Sequence, residues 1–225
     1  MTVSRHEDLS LRYILSVPSG QADTEEMPLV VVMHGRGADA NDLADLAPMI
    51  DVEPGCRFVF PNAPRPFEAY PGMTFGWSWF DGWPPQGSSF GESRQLVLTF
   101  LDEITKRYPT SATVLAGFSQ GGLMALDAGF RTKEPLAGII CMSGALHEAD
   151  LPDLKARREQ KVLLVHGTGD DVIPVLAARR ARLLLGEQGI DADYYEFPMG
   201  HNVTQESMAV VREFVARALL PQSSR

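Results

Sequence analysis

Short apolar segments recur along the chain and alternate with longer segments in which apolar residues return every three or four positions. The short segments predict strands, and several are apolar throughout, as expected for parallel strands that are covered on both faces. The predicted strands span residues 11–17, 28–33, 56–60, 113–116, 136–142, 161–166 and 193–197. The periodic segments predict helices at 41–50, 92–107, 121–130, 174–187 and 203–219. This alternation predicts an α/β fold with a mostly parallel, doubly wound sheet and helices on both faces.

One of these strands leads into a serine that is flanked by glycines. The segment Gly117-Phe118-Ser119-Gln120-Gly121 joins the strand at 113–116 directly to the following helix. A G-x-S-x-G sequence between a strand and a helix is typical of a nucleophile elbow, which exposes the serine hydroxyl at the tip of the sheet. The turn is so tight that only glycine fits on either side. Ser119 is therefore the candidate nucleophile.

A serine hydroxyl is a poor nucleophile at neutral pH, so it needs an imidazole base and a carboxylate that orients the imidazole. The strand at 161–166 runs into a loop that holds Asp170 and Asp171, and either could supply the carboxylate. An aspartate after a strand is, taken alone, more often a turn residue or a helix cap. The strand at 193–197 is followed by His201. The order serine, aspartate, histidine is that of α/β-hydrolases.

Two other histidines are alternative bases, because His34 and His166 also lie at strand ends and precede glycines. His34 comes before Ser119 in the chain, which breaks the expected order. His166 lies only four residues before Asp170 and is expected to point sideways from its strand end. His201 is therefore the favoured base.

A second glycine-containing loop, His34-Gly35-Arg36-Gly37, follows the strand at 28–33. In α/β-hydrolases the loop after this strand supplies one backbone N–H to the oxyanion hole, and the residue after the nucleophile supplies the other. This assigns the N–H groups of Arg36 and Gln120, each worth about 3 kcal/mol of transition-state stabilisation. An ordinary glycine-rich turn is the alternative. A phosphate loop is excluded because the G-x-x-x-x-G-K pattern is absent.

Residues 61–91 contain all three tryptophans together with many prolines, glycines and other aromatic residues. A connection of this length without periodicity is usually functional. It predicts a loop that forms a wall of the site over Ser119 and binds an apolar acyl or aryl group. The alternative is a loop that its own aromatic residues pack against the sheet edge. The candidate pocket residues are Phe75 and Trp79 in this segment, with Ala145 and Val172 elsewhere.

Several motifs carry a family resemblance that spans nearly the whole chain. They are HGRG at 34–37, PNAP at 61–64, WFD at 79–81, GFSQGG at 117–122, the segment 166–174 and GH at 200–201. They resemble the phospholipase/carboxylesterase family, which includes bacterial carboxylesterases and acyl-protein thioesterases. The resemblance implies an α/β-hydrolase fold with Ser119 as nucleophile and His201 as base, and it selects Asp170 rather than Asp171. The segment 73–78 differs from the better-studied members, which bears on substrate preference.

These residues predict a serine hydrolase that cleaves small-molecule carboxylic esters with an apolar acyl or aryl group, through an acyl-enzyme on Ser119. The same machinery would serve thioesters or lysophospholipids, because the acyl half of the chemistry is identical. An acyltransferase, in which an alcohol outcompetes water, is a further alternative. So is a catalytically silent member of the fold that acts as a binding protein.

Length, charge and composition bear on the number of domains and on the possible partners and cofactors. A chain of 225 residues suits one domain over residues 1–225. A net charge of −9 argues against a nucleic-acid partner and against tight adsorption to anionic membranes. No Cys/His cluster has metal-ligand spacing, and no cofactor is implied.

The two cysteines bear on the cellular compartment. Cys56 and Cys141 lie in apolar strand-like segments, which indicates buried thiols and a reducing compartment. No apolar stretch approaches the roughly 20 residues of a membrane span, and the N-terminal residues lack the features of a signal peptide. A cytoplasmic location without integral membrane association is therefore expected, and a homodimer is compatible with the sequence.

Overall fold

The computed structural model describes residues 1–22 and 24–219. Its strands are β1 (Thr2–His6), β2 (Tyr13–Val17), β3 (Leu29–Met33), β4 (Arg57–Pro61), β5 (Arg65–Tyr70), β6 (Met73–Ser78), β7 (Thr113–Phe118), β8 (Gly138–Met142), β9 (Val162–Gly167) and β10 (Asp193–Phe197). Its α-helices are α1 (Ala40–Ala44), α2 (Ala47–Ile50), α3 (Ser89–Arg107), α4 (Gln120–Gly129), α5 (Val175–Glu187) and α6 (Gln205–Leu219). Short 3₁₀ helices span Glu148–Asp150 and Lys155–Arg157.

Eight of the strands form one sheet in the order β1-β2-β4-β3-β7-β8-β9-β10. All neighbours from β4 to β10 are parallel, and β2 is antiparallel to both β1 and β4. Strand β4 lies on one side of β3 and strand β7 on the other, so the direction in which strands are added changes at β3. Open α/β sheets bind ligands at the carboxyl ends of strands beside such a switch point. The predicted mostly parallel, doubly wound sheet is confirmed.

Helices cover both faces of the sheet and bury two separate cores. On one face α3, α4 and α5 contribute Phe100, Leu126 and Leu185. On the other face α1, α2 and α6 pack, with Ile50 and Phe214 among the buried side chains. Central strands such as β3 are buried along their whole length because both of their faces are covered. The described residues thus form a single α/β domain.

The helix predicted at residues 41–50 is interrupted, and this prediction was wrong. The structure has α1, which ends at Ala44, and the separate short helix α2, which contains Pro48 near its start. A proline inside a helix has no N–H to donate, and its ring clashes with the carbonyl four residues earlier. That carbonyl belongs to Ala44, so a continuous helix is not available.

The prediction that residues 61–91 lack regular structure was also wrong. They contain β5 and β6, which pair as an antiparallel hairpin. The pairing register shifts at two points between Phe67 and Tyr70. Such bulges displace the alternation of side chains between the two faces, so the two-residue period of a strand is lost. Strand β1 is missed for a related reason, because it is largely exposed and carries no apolar pattern.

The β5–β6 hairpin is attached to the loop after β3 by backbone hydrogen bonds. Gly37 N–H donates to Trp77 O at 2.8 Å, and Trp77 N–H donates to Ala38 O at 2.9 Å. A Cβ at Gly76 would lie 2.1 Å from Gly37 O, so this close approach requires glycine. The hairpin therefore touches the loop for which an oxyanion donor is predicted.

Both cysteines are buried free thiols, as predicted. Burial raises the pKa of Cys56 to about 12 and that of Cys141 to about 12. Neither thiol is therefore ionised to any useful extent near neutral pH.

Within the described residues, no helix has both the length and the apolar character that crossing a membrane requires.

Candidate active site

Ser119 lies at the sharp turn between β7 and α4. Its backbone has φ 56° and ψ −119°, in a region that costs a residue with a side chain on the order of 1–3 kcal/mol. A Cβ at Gly117 would lie 2.1 Å from Gly121 O, and a Cβ at Gly121 would lie 2.1 Å from Met33 O. The backbone of α4 therefore crosses both β7 and the end of β3 too closely for any other residue type. This is the tight turn that the G-x-S-x-G sequence predicts.

The side chains of Ser119, His201 and Asp170 come together beyond the carboxyl ends of β7, β10 and β9. His201 Nε2 is 2.9 Å from Ser119 Oγ, and His201 Nδ1 is 2.7 Å from Asp170 Oδ2. A carboxylate only accepts hydrogen bonds, so Nδ1 carries the proton. Nε2 of the neutral ring is then free to accept from the serine hydroxyl. These three groups can pass a proton from the hydroxyl to the imidazole.

Asp170 is held in a set of hydrogen bonds that favour its ionised form. Its Oδ1 accepts from the N–H groups of Val172 and Ile173 at 2.9 Å and 2.8 Å. Burial alone would raise the pKa of this carboxyl, but the hydrogen bonds from His201 and from the two backbone groups outweigh burial and lower it. Asp171 is exposed, and its side chain makes no hydrogen bond or ion pair within the described part of the chain.

The two alternative histidines are both fully buried and have other partners. His34 Nε2 accepts from Ala63 N–H at 3.0 Å, and its Nδ1–H donates to Gly35 O at 2.7 Å. His166 Nε2–H donates to Ile173 O at 2.7 Å and lies 3.3 Å from Asp170 Oδ2. Burial lowers the pKa of His34, which therefore stays neutral. Neither ring is hydrogen-bonded to Ser119.

The loop after β3 packs directly against the serine. A Cβ at Gly35 would lie 3.2 Å from Ser119 Cβ. Gln120 is the first residue of α4, where a backbone N–H has no partner within its own helix. Among residues 1–22 and 24–219, the N–H groups of Arg36 and Gln120 donate to no acceptor, whereas Ser119 N–H donates to Met142 O. Neither of the two predicted oxyanion donors is therefore engaged by another group of the described residues.

The four candidate pocket residues fall into two groups. Trp79 is completely buried, and Ala145, which belongs to the same core, is 8% exposed. The Trp79 side chain therefore offers no surface to a substrate in this conformation. Phe75 and Val172 are 54% and 58% exposed. Val172 follows Asp170 by two residues, and Phe75 lies on the hairpin strand β6.

Sequence reasoning gave no role to the side chain of Gln120 and considered the ring of His34 only as an alternative base, although both side chains are buried and hydrogen-bonded. Their presence in two of the family motifs was the available signal.

Within the described residues, no group of three or more His, Cys, Asp or Glu side chains is arranged to hold a metal ion.

Comparison with known proteins assigns the chain to a family. A family model described as phospholipase/carboxylesterase matches residues 18–219. The chain belongs to the phospholipase/carboxylesterase family. Acyl-protein thioesterase 1 of Neurospora crassa is 32% identical to it over 182 residues, which are 72% of this chain and 74% of that protein.

Solved structures agree with this family assignment. The structure of esterase PE8 has 34% sequence identity and a TM-score of 0.74, and the match covers 91% of this chain and 99% of that chain. A carboxylesterase from Mesorhizobium loti has a TM-score of 0.77 at 21% identity, over 96% of this chain and 99% of that chain, and it shares the fold. The α/β-hydrolase fold predicted from the sequence is confirmed. As a member of the phospholipase/carboxylesterase family, the protein is a serine hydrolase of the esterase and thioesterase class.

Proposed function

We propose that the protein hydrolyses small-molecule carboxylic esters through an acyl-enzyme on Ser119. The observation that carries this proposal is the continuous hydrogen-bonded chain from Ser119 Oγ through the His201 ring to Asp170, with distances of 2.9 Å and 2.7 Å. A serine hydroxyl held in this way can be deprotonated during its attack on a carbonyl. A serine that had only a structural role would not require this arrangement.

In the proposed reaction Ser119 Oγ attacks the acyl carbonyl while His201 Nε2 takes the hydroxyl proton. Asp170 holds the ring in the required tautomer and stabilises the imidazolium that forms. His201 then returns the proton to the leaving alcohol, and the acyl group remains on Ser119. Water, deprotonated by the same nitrogen, attacks the acyl-enzyme and releases the carboxylic acid and the free serine.

The negative charge that develops on the carbonyl oxygen would be held by the backbone N–H groups of Arg36 and Gln120. Two features support this role. Both groups lack an acceptor within the described residues, and the Gln120 group lies at the positive end of the α4 dipole. The first turn of α4 contains no acidic side chain that would compete for this position. Removing one such donor typically lowers kcat by about 10²–10³.

For the substrate we propose an apolar acyl or aryl group, bound against the wall that residues 61–91 form beside the site. The β5–β6 hairpin of this segment is joined to the loop after β3 by backbone hydrogen bonds. Phe75 on the hairpin and Val172 next to Asp170 present exposed apolar surface that a substrate could cover. A cytoplasmic location and a homodimer stay predictions.

Thioester hydrolysis is the second candidate, and the similarity to acyl-protein thioesterase 1 favours it. The two activities share the acyl-enzyme and differ only in the leaving group. Rates with oxygen esters and thioesters of the same acyl chain, measured over increasing chain length, separate them. Faster hydrolysis of the oxygen ester at equal chain length would support the esterase activity, and faster hydrolysis of the thioester would support the thioesterase activity.

The decisive experiment compares wild type with Ser119→Ala and with Ser143→Ala. Ser143 is a matched control because it is also buried, follows the neighbouring strand β8 and has a positive φ of 47°. We expect Ser119→Ala to lower kcat/KM for a p-nitrophenyl ester by about 10⁴-fold or more. It should also abolish covalent labelling by a fluorophosphonate, whereas Ser143→Ala should retain both. Labelling that survives in Ser119→Ala would overturn the proposal.

A further inference from the structure

The side chain of Gln120 is buried and bridges the elbow to the segment that follows β6. Its Oε1 accepts from Trp79 N–H at 3.0 Å, and its Nε2 donates to Phe80 O at 2.9 Å. Gln120 is only 3% exposed. The amide thus pairs with one backbone donor and one backbone acceptor at residues 79 and 80, and a side chain that lacks either function would leave a buried group without a partner.

Trp79 continues this connection to the loop after β3. Its indole Nε1–H donates to His34 O at 2.8 Å, and the two rings lie 5.6 Å apart. Trp79 O in turn accepts from Ser93 Oγ of α3, so the tryptophan backbone is anchored on both sides. His34 precedes Arg36 by two residues. The indole therefore connects the segment bound by Gln120 to the loop that carries the Arg36 N–H.

The ring of His34 also holds the loop after β3 in place through hydrogen bonds of both ring nitrogens. A backbone N–H can only donate, so His34 Nε2 must be unprotonated to accept from Ala63 N–H. The Nδ1–H consequently donates to Gly35 O, the carbonyl directly before Arg36. Both ring nitrogens are satisfied, and the peptide that bears the proposed donor is held by the side chain two residues earlier.

We propose that Gln120, Trp79 and His34 are positioning residues that set the separation of the two oxyanion donors, a role that rests on the proposed function. The three side chains link Gln120 N–H to Arg36 N–H by a path of hydrogen bonds that is independent of Ser119, His201 and Asp170. Oxyanion stabilisation depends on donors that are already in place before the charge develops. A displacement of about 1 Å can lower a rate by about 10²-fold.

A role in stability alone is the competing explanation, because buried hydrogen bonds also stabilise the fold. The two explanations predict different effects when the hydrogen bonds of Gln120, Trp79 or His34 are removed. Loss of stability lowers the melting temperature but leaves the folded enzyme with normal kinetics. A displaced donor weakens binding of the oxyanion and leaves binding of the uncharged substrate unchanged.

The test uses Gln120→Met, which keeps the side-chain length and removes both hydrogen bonds, and Trp79→Phe, which removes the indole N–H. Phe100→Leu is the matched control, since Phe100 is 1% exposed in the same core but has no part in the network. For each variant kcat, KM, the melting temperature and the Ki of a trifluoromethyl ketone are measured. This inhibitor adds reversibly to the serine and forms an oxyanion.

For both network variants we expect kcat to fall about 10- to 100-fold while KM stays within about threefold. The Ki of the ketone should rise by the same factor as kcat/KM falls. Phe100→Leu should lower the melting temperature without changing kcat or Ki. If Trp79→Phe does not fold, Gln120→Met carries the test alone.

Failure of the positioning role and failure of the proposed function give different results. If Ser119→Ala abolishes activity but Gln120→Met keeps a wild-type kcat and Ki, the positioning role is refuted and the proposed function stands. The positioning role is likewise refuted if Phe100→Leu, at an equal loss of melting temperature, weakens the ketone as much as Gln120→Met does. Activity that persists in Ser119→Ala overturns the proposed function itself.

Discussion

The substitution Asp170→Asn tests the proposed mechanism most sharply, because the structure determines how the new amide must be oriented. Asp170 Oδ1 accepts from the N–H groups of Val172 and Ile173, and Oδ2 accepts from His201 Nδ1–H. An asparagine at this position has one oxygen and one NH₂ group. The two backbone N–H groups can only donate, so they require the oxygen on their side. The NH₂ group then faces His201.

This orientation reverses the protonation of the catalytic ring. With an NH₂ donor opposite Nδ1, His201 can form that hydrogen bond only if Nδ1 is unprotonated. The neutral ring then carries its proton on Nε2, which is 2.9 Å from Ser119 Oγ. A protonated Nε2 cannot accept the serine proton. The base is therefore present at the correct distance but in the wrong tautomer.

The expected loss follows from this tautomer change. The equivalent substitution in a serine protease lowers kcat by about 10⁴-fold, and that factor corresponds to about 5 kcal/mol of activation free energy. The exposed Asp171 is the matched control, since Asp171→Asn removes the same charge one residue away. Its kcat should stay within about threefold of wild type, as for a surface change outside the site.

Stability at low pH gives a second measure of the same carboxylate. Hydrogen bonds hold the pKa of Asp170 below its ordinary value of 3.8. Its ionised form therefore stabilises the folded state above pH 3.8, and this contribution is lost as the pH falls through the lower, folded-state pKa. The difference in unfolding free energy between wild type and Asp170→Asn should accordingly narrow below about pH 4.

The assay is steady-state hydrolysis of a p-nitrophenyl ester at about pH 7.5, with folding verified by circular dichroism. A kcat for Asp170→Asn within tenfold of wild type, about 1.4 kcal/mol, would refute the tautomer argument. A larger loss of kcat in Asp171→Asn than in Asp170→Asn would refute it as well, because the carboxylate that orients His201 would then belong to Asp171.

Other predictions concern residues away from Ser119. Hydrogen bonds from Arg179 and then from Tyr194 lower the pKa of Glu196 from 4.5 to about 2, so Arg179→Gln should raise it toward 4.5 in a carboxyl NMR titration. The Asp127 side chain is 2% exposed and pairs with two arginines, so Asp127→Ala should cost about 3–5 kcal/mol in denaturant unfolding. The two buried thiols, Cys56 and Cys141, should react with a thiol reagent only on denaturation; fast labelling of native protein would contradict their burial.

The fold and the chemistry-bearing residues could be predicted because local sequence determines both. An apolar strand such as β3 is expected to be covered on both faces, and a G-x-S-x-G sequence between a strand and a helix predicts a tight turn. Parallel strands then bring their carboxyl ends to one edge, so Ser119, Asp170 and His201 become neighbours although 82 residues separate the serine from the histidine. The choice of Asp170 over Asp171 came from the family resemblance, because the residue pattern alone left it open.

Prediction failed where tertiary contacts override the local pattern. The β5–β6 hairpin has irregular register and is held by its backbone pairing with the loop after β3, which no periodicity in residues 61–91 reveals. Trp79 was a pocket candidate because it lies in the aromatic segment 61–91, but its side chain is completely buried. Its position is instead determined by the carbonyl of His34 and the amide of Gln120, which are distant in sequence.

The three histidines at this edge of the sheet show why residue type and order alone leave the base undetermined. Each lies at or beyond the carboxyl end of a strand, but each ring has different neighbours. His34 Nε2 faces a backbone N–H and His166 Nε2 faces a backbone carbonyl, so the first ring nitrogen is committed as an acceptor and the second as a donor. His201 has a carboxylate on one nitrogen and a hydroxyl on the other. Of these three rings, only that of His201 has a basic nitrogen facing a group whose proton it can take. His201→Gln should therefore abolish ester hydrolysis, whereas His34→Gln, which disturbs only the positioning network, should lower kcat without abolishing it.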